Sequence, residues 1–343
     1  MGAFKILEQN HLGYSLIHTN IKELSFLSIA PCDIYTYFNG NFEISIPINT
    51  PINKDLIKRL VMGGRWQFFV HHKERELIIF ANQEKLRKIT RSISIGDAIS
   101  NCKTHANLLN LNLSFVYDSP SNDEYLNLQF QSVRNLAQFL LENPKLLKDL
   151  YLQIVGHTFH YTLSQPLASS ILLLAFLKKS YHFTPKEMEN LFLTSYFKDI
   201  GMSTLSRESL SKPELNLKEK LALNNHAHQS SLILDGRIPL GPAYLEIIKN
   251  HHTHTLLDDD EHDDEFRNDS QQQHSKTIDG SVLSGIETGL VAAMDTIAAM
   301  TSDRPYRNKI SLYTALDIVK ENLSARYPQE FKFLVQFFQG FLK

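Results

Sequence analysis

The sequence predicts a mainly helical protein that carries a small α+β domain at its N-terminus. Two observations predict the helical part. From Tyr151 onward apolar residues recur at helical spacing, and helix-capping residues mark where one segment stops and the next begins. A third predicts the α+β part: Asn39-Gly40-Asn41 separates two runs rich in aromatic and β-branched residues.

Residues 33–47, DIYTYFNGNFEISIP, read as a β-hairpin, because Asn-Gly supplies the positive φ angles that a two-residue turn needs. A helix is expected over Asp55 to Met62. Trp66 to Val70 and Glu76 to Phe80 read as two further short strands across the polar turn His71 to Arg75. These elements make up an N-terminal domain over residues 1–92. Residues 93–150 turn helical, with a break at Asp118 to Asn122, and read as a connector. The helical domain then covers 151–343. Within it Thr184-Pro-Lys-Glu187 is a capping box with proline at the first helical position, opening a helix that runs to Asp199. Asn216-Leu-Lys-Glu219 repeats the pattern and starts a helix expected to reach His226. Pro242 opens one that ends in His251-His252. Residues 256–274 hold the acidic run Asp258 to Glu265 and almost no apolar side chains, and read as a disordered loop.

Composition excludes several classes. A chain that is 43% hydrophobic and 21% charged is an ordinary globular protein. Its formal net charge of −2 argues against a general binder of DNA or other polyanions. The two cysteines, Cys32 and Cys102, lack metal-type spacing and imply no disulfide framework. The first residues lack the pattern of a secretion signal, and the longest apolar run, Ile171 to Leu177, falls well short of the roughly 20 residues a membrane helix takes. A cytoplasmic protein without a membrane segment is expected.

Chemistry concentrates in the helical domain. Asp295 sits among small and apolar neighbours in Gly289 to Met300. There it either pairs with a buried cation or metal, or lies on a narrow solvent stripe. His251, His252, His226 and Asp199 all stand near expected helix ends. Imidazole nitrogen with carboxylate oxygen suits iron, manganese or zinc at a water-activating site. In a chain with 15 histidines, spacing alone carries little weight.

Order and flanking sequence carry more. Lys198-Asp-Ile-Gly201, Leu210-Ser-Lys-Pro213, Glu219, His226, His251-His252, Asp295 and Thr301-Ser-Asp-Arg-Pro-Tyr-Arg307 closely resemble the HD-GYP family of cyclic di-GMP phosphodiesterases over nearly two hundred residues. The resemblance implies a helical HD-superfamily domain and metal-assisted hydrolysis of cyclic di-GMP. It implies Asp199, His226, His251, His252 and Asp295 as metal ligands, Asp199 and Lys198 at the catalytic position, and Arg304 and Arg307 on the substrate phosphate. The departures are equally specific. Gln165 and Lys198 stand where the family has ligand histidines, Met202 replaces a lysine, Thr253 replaces the glutamate after His-His, and no Gly-Tyr-Pro occurs.

By resemblance, the ligands of one metal are reduced to Asp199 and Asp295 facing Lys198, whose ammonium could take the ion's place. Otherwise that ammonium extends to solvent beside empty histidines. The other metal's ligands, His226, His251, His252 and Asp199, are intact, so one divalent transition ion (Fe, Mn or Zn) is expected at most. Arg304 and Arg307 either meet phosphate or cap the Asp295 helix. The N-terminal domain is similar to the small domain found before some HD-GYP domains and is expected to sense or dock. The expectation is a bacterial cyclic di-GMP signalling protein impaired in hydrolysis, acting by binding the cyclic dinucleotide or a protein partner through the N-terminal domain or the acidic loop 256–274. The alternatives are a slow metal-dependent phosphodiesterase and an interaction scaffold.

Overall fold

The structure, a computed structural model, describes residues 12–341 except 157–158, 181, 207, 213, 253–284 and 305–306. The acidic stretch 256–274 and Thr253 lie outside the described residues. The chain divides into two compact units, Met1–Ser92 with Asn107–Phe115, and Ile93–Ala106 with Val116–Lys343.

In the first unit β1 (Leu16–Thr19), β2 (Ile34–Phe38), β3 (Asn41–Ile46) and β4 (Phe68–His71) form a four-stranded antiparallel sheet ordered β1-β4-β2-β3. The expected hairpin is present: Asn39 and Gly40 take φ of 48° and 80°, and Phe38 pairs with Asn41. Helices α1 (Ile21–Ser25), α2 (Lys54–Met62) and α3 (Arg75–Ser92) complete the unit. Its core gathers Leu24, Ile34, Ile46, Phe68, Val70 and Ile78. At its edge the Arg75 guanidinium forms a two-pronged ion pair with Glu23 and donates to Thr19 at 3.2 Å, so that a nearly buried carboxylate keeps a partner.

Two features differ from expectation. Glu76 to Phe80 is the first part of α3, not a strand. Its inward positions Ile78, Ile79, Asn82, Gln83 and Leu86 follow helical spacing, while Leu77 and Phe80 are exposed. Strand β1 had no counterpart in the sequence reading, being only four residues long at a sheet edge.

Helix α4 (Ala98–Asp118) ends where the turn residues predict. Asn122 then accepts from the Glu124 and Tyr125 backbone N–H groups to cap α5 (Asp123–Glu142). The second unit continues through α6 (Leu146–Val155), α7 (Tyr161–Ser180), α8 (Pro185–Phe197), α9 (Leu217–Asn224), α10 (His226–Leu234), α11 (Pro242–Asn250), α12 (Ile286–Met300), α13 (Leu312–Leu323) and α14 (Pro328–Phe341). Helix α7 is buried on nearly every face and packs against α6, α8 and α12, which makes it the central post of the unit. Pro166 within it cannot donate to the Thr162 carbonyl, and the Tyr117 hydroxyl approaches that oxygen at 3.5 Å. Both capping boxes form as read, Thr184 with Glu187 and Asn216 with Glu219. A mainly helical chain with a small sheet is the expected fold class.

Candidate metal and ion-pair site

Three helix ends and the middle of a fourth helix converge on one point. Helix α8 stops at Phe197, Lys198 is its C-cap, and Asp199 begins a short 3-10 segment, Ile200–Thr204. The turn fits against α10 because residue 201 is glycine. A Cβ there would lie 2.1 Å from the His226 carbonyl oxygen and 2.6 Å from the Ser230 nitrogen, and the Gly201 N–H donates to Ser230 Oγ at 2.8 Å. His226 is the first residue of α10 and not the last of α9, because the chain breaks at Asn225. His251 caps α11, with His252 next to it, and Asp295 lies in the middle of α12.

The structure brings together Asp199, Lys198, His226, His251, His252 and Asp295, and it divides them into two halves. On one side the fully buried Lys198 ammonium donates to Asp199 Oδ2 and lies 2.7 Å from Asp295 Oδ1. Burial alone would lower the lysine's proton affinity, but the two carboxylates outweigh it and hold Lys198 above its ordinary value. Burial likewise works against both aspartates. Lys198 overcomes it at each, with His226 and His251 adding to the effect at Asp199, so Asp199 is held well below the usual carboxylate range and Asp295 below it. This half is a salt bridge inside the protein, with charges −1, +1 and −1.

On the other side, Asp199 Oδ1 lies 3.3 Å from both His226 Nε2 and His251 Nε2, and His252 Nε2 lies 3.1 Å from His226 Nε2. The Nδ1 atoms of His226 and His251 face the carbonyls of Leu223 and Ile248. A carbonyl only accepts, so each Nδ1 carries a proton, and Nε2 is the ring nitrogen left to turn inward as a metal ligand. His251 Nε2 is buried and makes no hydrogen bond among the described residues. One carboxylate oxygen and three imidazole nitrogens, all within 4.8 Å of one another, fit a divalent transition ion, whose bonds to such atoms are about 2.0–2.2 Å. Asp199 raises the proton affinity of His226 against the effect of burial. His252 keeps an exposed edge while its ring nitrogen turns inward. Burial of that end, then the neighbouring His251 and His226, push it down to about 3.

The remaining expected residues hold this frame. Gln165 does not reach the histidines. Its amide donates to Asp295 Oδ1 at 2.6 Å and its oxygen accepts from Arg304, whose guanidinium stacks 4.5 Å from the Tyr161 ring centre. Arg307 takes the capping alternative: it donates to Ala299 O at 2.9 Å and to Met300 O at 3.4 Å, the last carbonyls of α12, while Arg304 borders the site. Glu219 accepts from Lys212 and Ser209 and fixes the turn before α9. Tyr117 was absent from the sequence reading; its hydroxyl donates to the Asp199 carbonyl at 3.1 Å. A tyrosine in an apolar helix gives no signal of such a contact. Beside Gln165 a cavity of about 240 Å³ opens, lined in part by Phe159, Tyr161, Ser164, Ser302 and Asp303. That is below the roughly 300–1,000 Å³ of pockets that enclose a small ligand. Among the described residues no helix is long and apolar enough to cross a membrane.

No protein-family model and no curated protein matches the chain. In structure it is similar to Bd1817, an HDG"Y"P protein from Bdellovibrio bacteriovorus, with a TM-score of 0.58 and 14% identity, over 95% of this chain and 100% of that one. The likeness is one of fold: the helical architecture with its small sheet is that of an HD-GYP-like structure.

Proposed function

We propose that the protein is a cyclic di-GMP signalling component whose HD-GYP-like domain is impaired in hydrolysis and acts by binding nucleotide or a partner protein. The observation that carries this reading is the Lys198 ammonium between Asp199 and Asp295. An ion at that position would polarise a phosphoryl oxygen and activate water. An ammonium held above its ordinary proton affinity neutralises the same carboxylates but leaves no coordination position. Asp199, His226, His251 and His252 would hold the one ion that remains. Arg304, kept in place by Gln165 and Tyr161, is the cation best placed to meet an anionic ligand at the site's edge.

The test is cyclic di-GMP turnover by the full chain with ferrous or manganous ion, with His251→Ala as background, beside a calorimetric titration of the nucleotide. The reading predicts no turnover above background and an affinity lost in Arg304→Ala. Linear product formation would refute it in favour of the slow phosphodiesterase. Absence of both turnover and binding would favour the scaffold.

A further inference from the structure

We propose that the outward face of α2 and the turn that follows it, carrying Val61, Met62 and Trp66 beside the cations Lys54, Lys58 and Arg59, form a docking surface for an anionic lipid membrane. The inference lies wholly within the first unit and stands apart from the reading of the second. It needs no spanning helix, because a surface of this kind lies in the headgroup layer.

Large apolar side chains at this tip face water. Met62 is 78% exposed and Trp66 64%, with Val61 beside them at 38%. They are not spare core residues, because the opposite face of α2 already supplies the core: Ile57 is buried there, and Leu56 and Leu60 pack against the same cluster. Lys54, Lys58 and Met62 follow one another at intervals of four residues, which places them in one row along the outward face, so cations run up to the apolar tip. Lys54, Lys58 and Arg59 are exposed and make no ion pair among the described residues, and Asp55 is the one carboxylate within residues 54–66.

The tip can leave water without stranding its backbone. The Gly63 N–H donates to Arg59 O at 3.0 Å, the Gly64 N–H to Val61 O at 3.0 Å and the Arg65 N–H to Leu60 O at 2.9 Å, so three carbonyls of the last turn are satisfied within the chain. Gly64, at φ 80°, makes the reversal that this bonding requires. Just beyond it Arg65 is held, its guanidinium 4.2 Å from the Phe38 ring centre and 3.4 Å from the Glu43 carboxylate. The segment is thus fastened at its base while Met62 and Trp66 project. Side chains this exposed have few neighbours on their own chain, so a partner must supply the contacts, and a lipid interface does so without a matching groove. Tryptophan favours that interface, and cations beside it are drawn to anionic headgroups.

The experiment adds vesicles of phosphatidylglycerol and phosphatidylcholine in equal parts to the full chain and follows the emission of Trp66, the single tryptophan, beside co-sedimentation. The expected result is a shift to shorter wavelength and binding about 100-fold tighter than to phosphatidylcholine alone, since each of the three free cations contributes about five-fold. Added salt should weaken it. Lys58→Gln/Arg59→Gln should weaken co-sedimentation about 25-fold, and Met62→Ser should weaken it as well. These positions are exposed, so the thermal unfolding of each variant should match that of the unaltered chain. No shift with anionic vesicles, equal binding to neutral ones, or variants that bind like the unaltered chain would each overturn the proposal. Poly-L-glutamate offers negative charge without an interface and should leave the emission unchanged. A shift with it, or one produced without vesicles by raising the protein concentration, would overturn the proposal in favour of an acidic protein partner or a second copy of the chain. Neither nucleotide nor metal enters the assay, so failure here and failure of the signalling reading are told apart.

Discussion

Replacing Lys198 with methionine keeps most of the side-chain volume and removes the charge. The ammonium is fully buried, donates to Asp199 and lies 2.7 Å from Asp295, so its loss leaves two buried carboxylates facing one another. Removing one partner of a buried ion pair costs about 3–5 kcal/mol. Because one cation serves two anions here, the expected loss is at the top of that range, about 5 kcal/mol, against a total stability on the order of 5–15 kcal/mol. The assay is urea unfolding with chelator present, followed by far-ultraviolet circular dichroism, since the single tryptophan, Trp66, belongs to the first unit. Lys198→Met/Asp295→Asn should recover about half of the loss, because one unpaired charge is then removed. The pH dependence has a definite sign. In the unaltered chain Asp199 and Asp295 titrate below their unfolded values, so their contribution is full at neutral pH and is lost as pH falls through those depressed values. In the variant, burial without the cation raises Asp295, so the deficit should narrow as pH drops from about 7 to 5. A deficit under about 1 kcal/mol, or one that does not change with pH, would refute the buried-cation argument.

Gly201→Ala should destabilise the second unit by about 3 kcal/mol or more and lower Co2+ uptake, because its Cβ meets backbone atoms of α10 at 2.1 and 2.6 Å and displaces His226; circular dichroism melts and metal titration check this. Arg307→Ala should cost about 1 kcal/mol in urea unfolding through loss of its bonds to the last carbonyls of α12, while calorimetry finds nucleotide affinity unchanged. Gly40→Ala, at φ 80°, should cost about 1 kcal/mol in the first unit, followed by Trp66 fluorescence.

What could be read from the sequence was what local chemistry dictates. The two capping boxes, the Asn39-Gly40 turn and the Asn122 break need only neighbours within four residues, and all formed as read. Glu76 to Phe80 was misread for a physical reason. The apolar run Leu77 to Phe80 looks like a strand, and the stripe that would have marked a helix continues inward through Asn82 and Gln83, polar residues that hydropathy does not count. Gln83 is buried because it donates to Asn112 at 3.1 Å, a partner 29 residues away. The boundary at Asn225 has no glycine or proline to announce it. In the site, the identity of the ligand-type residues was visible by resemblance. That Lys198 turns inward, that Gln165 joins Asp295 to Arg304, and that Arg307 turns to a helix end are long-range facts set by packing.

The Lys198 pairing also separates maturation from metal supply. A core that neutralises buried carboxylates with two ions is incomplete until the cell delivers both, and it is exposed to mis-metallation and to iron scarcity. In this chain the cation between Asp199 and Asp295 is covalently attached and arrives with translation. Half of the site is therefore complete in every newly made molecule, and under the proposed function the histidine half alone would answer to the metal content of its surroundings.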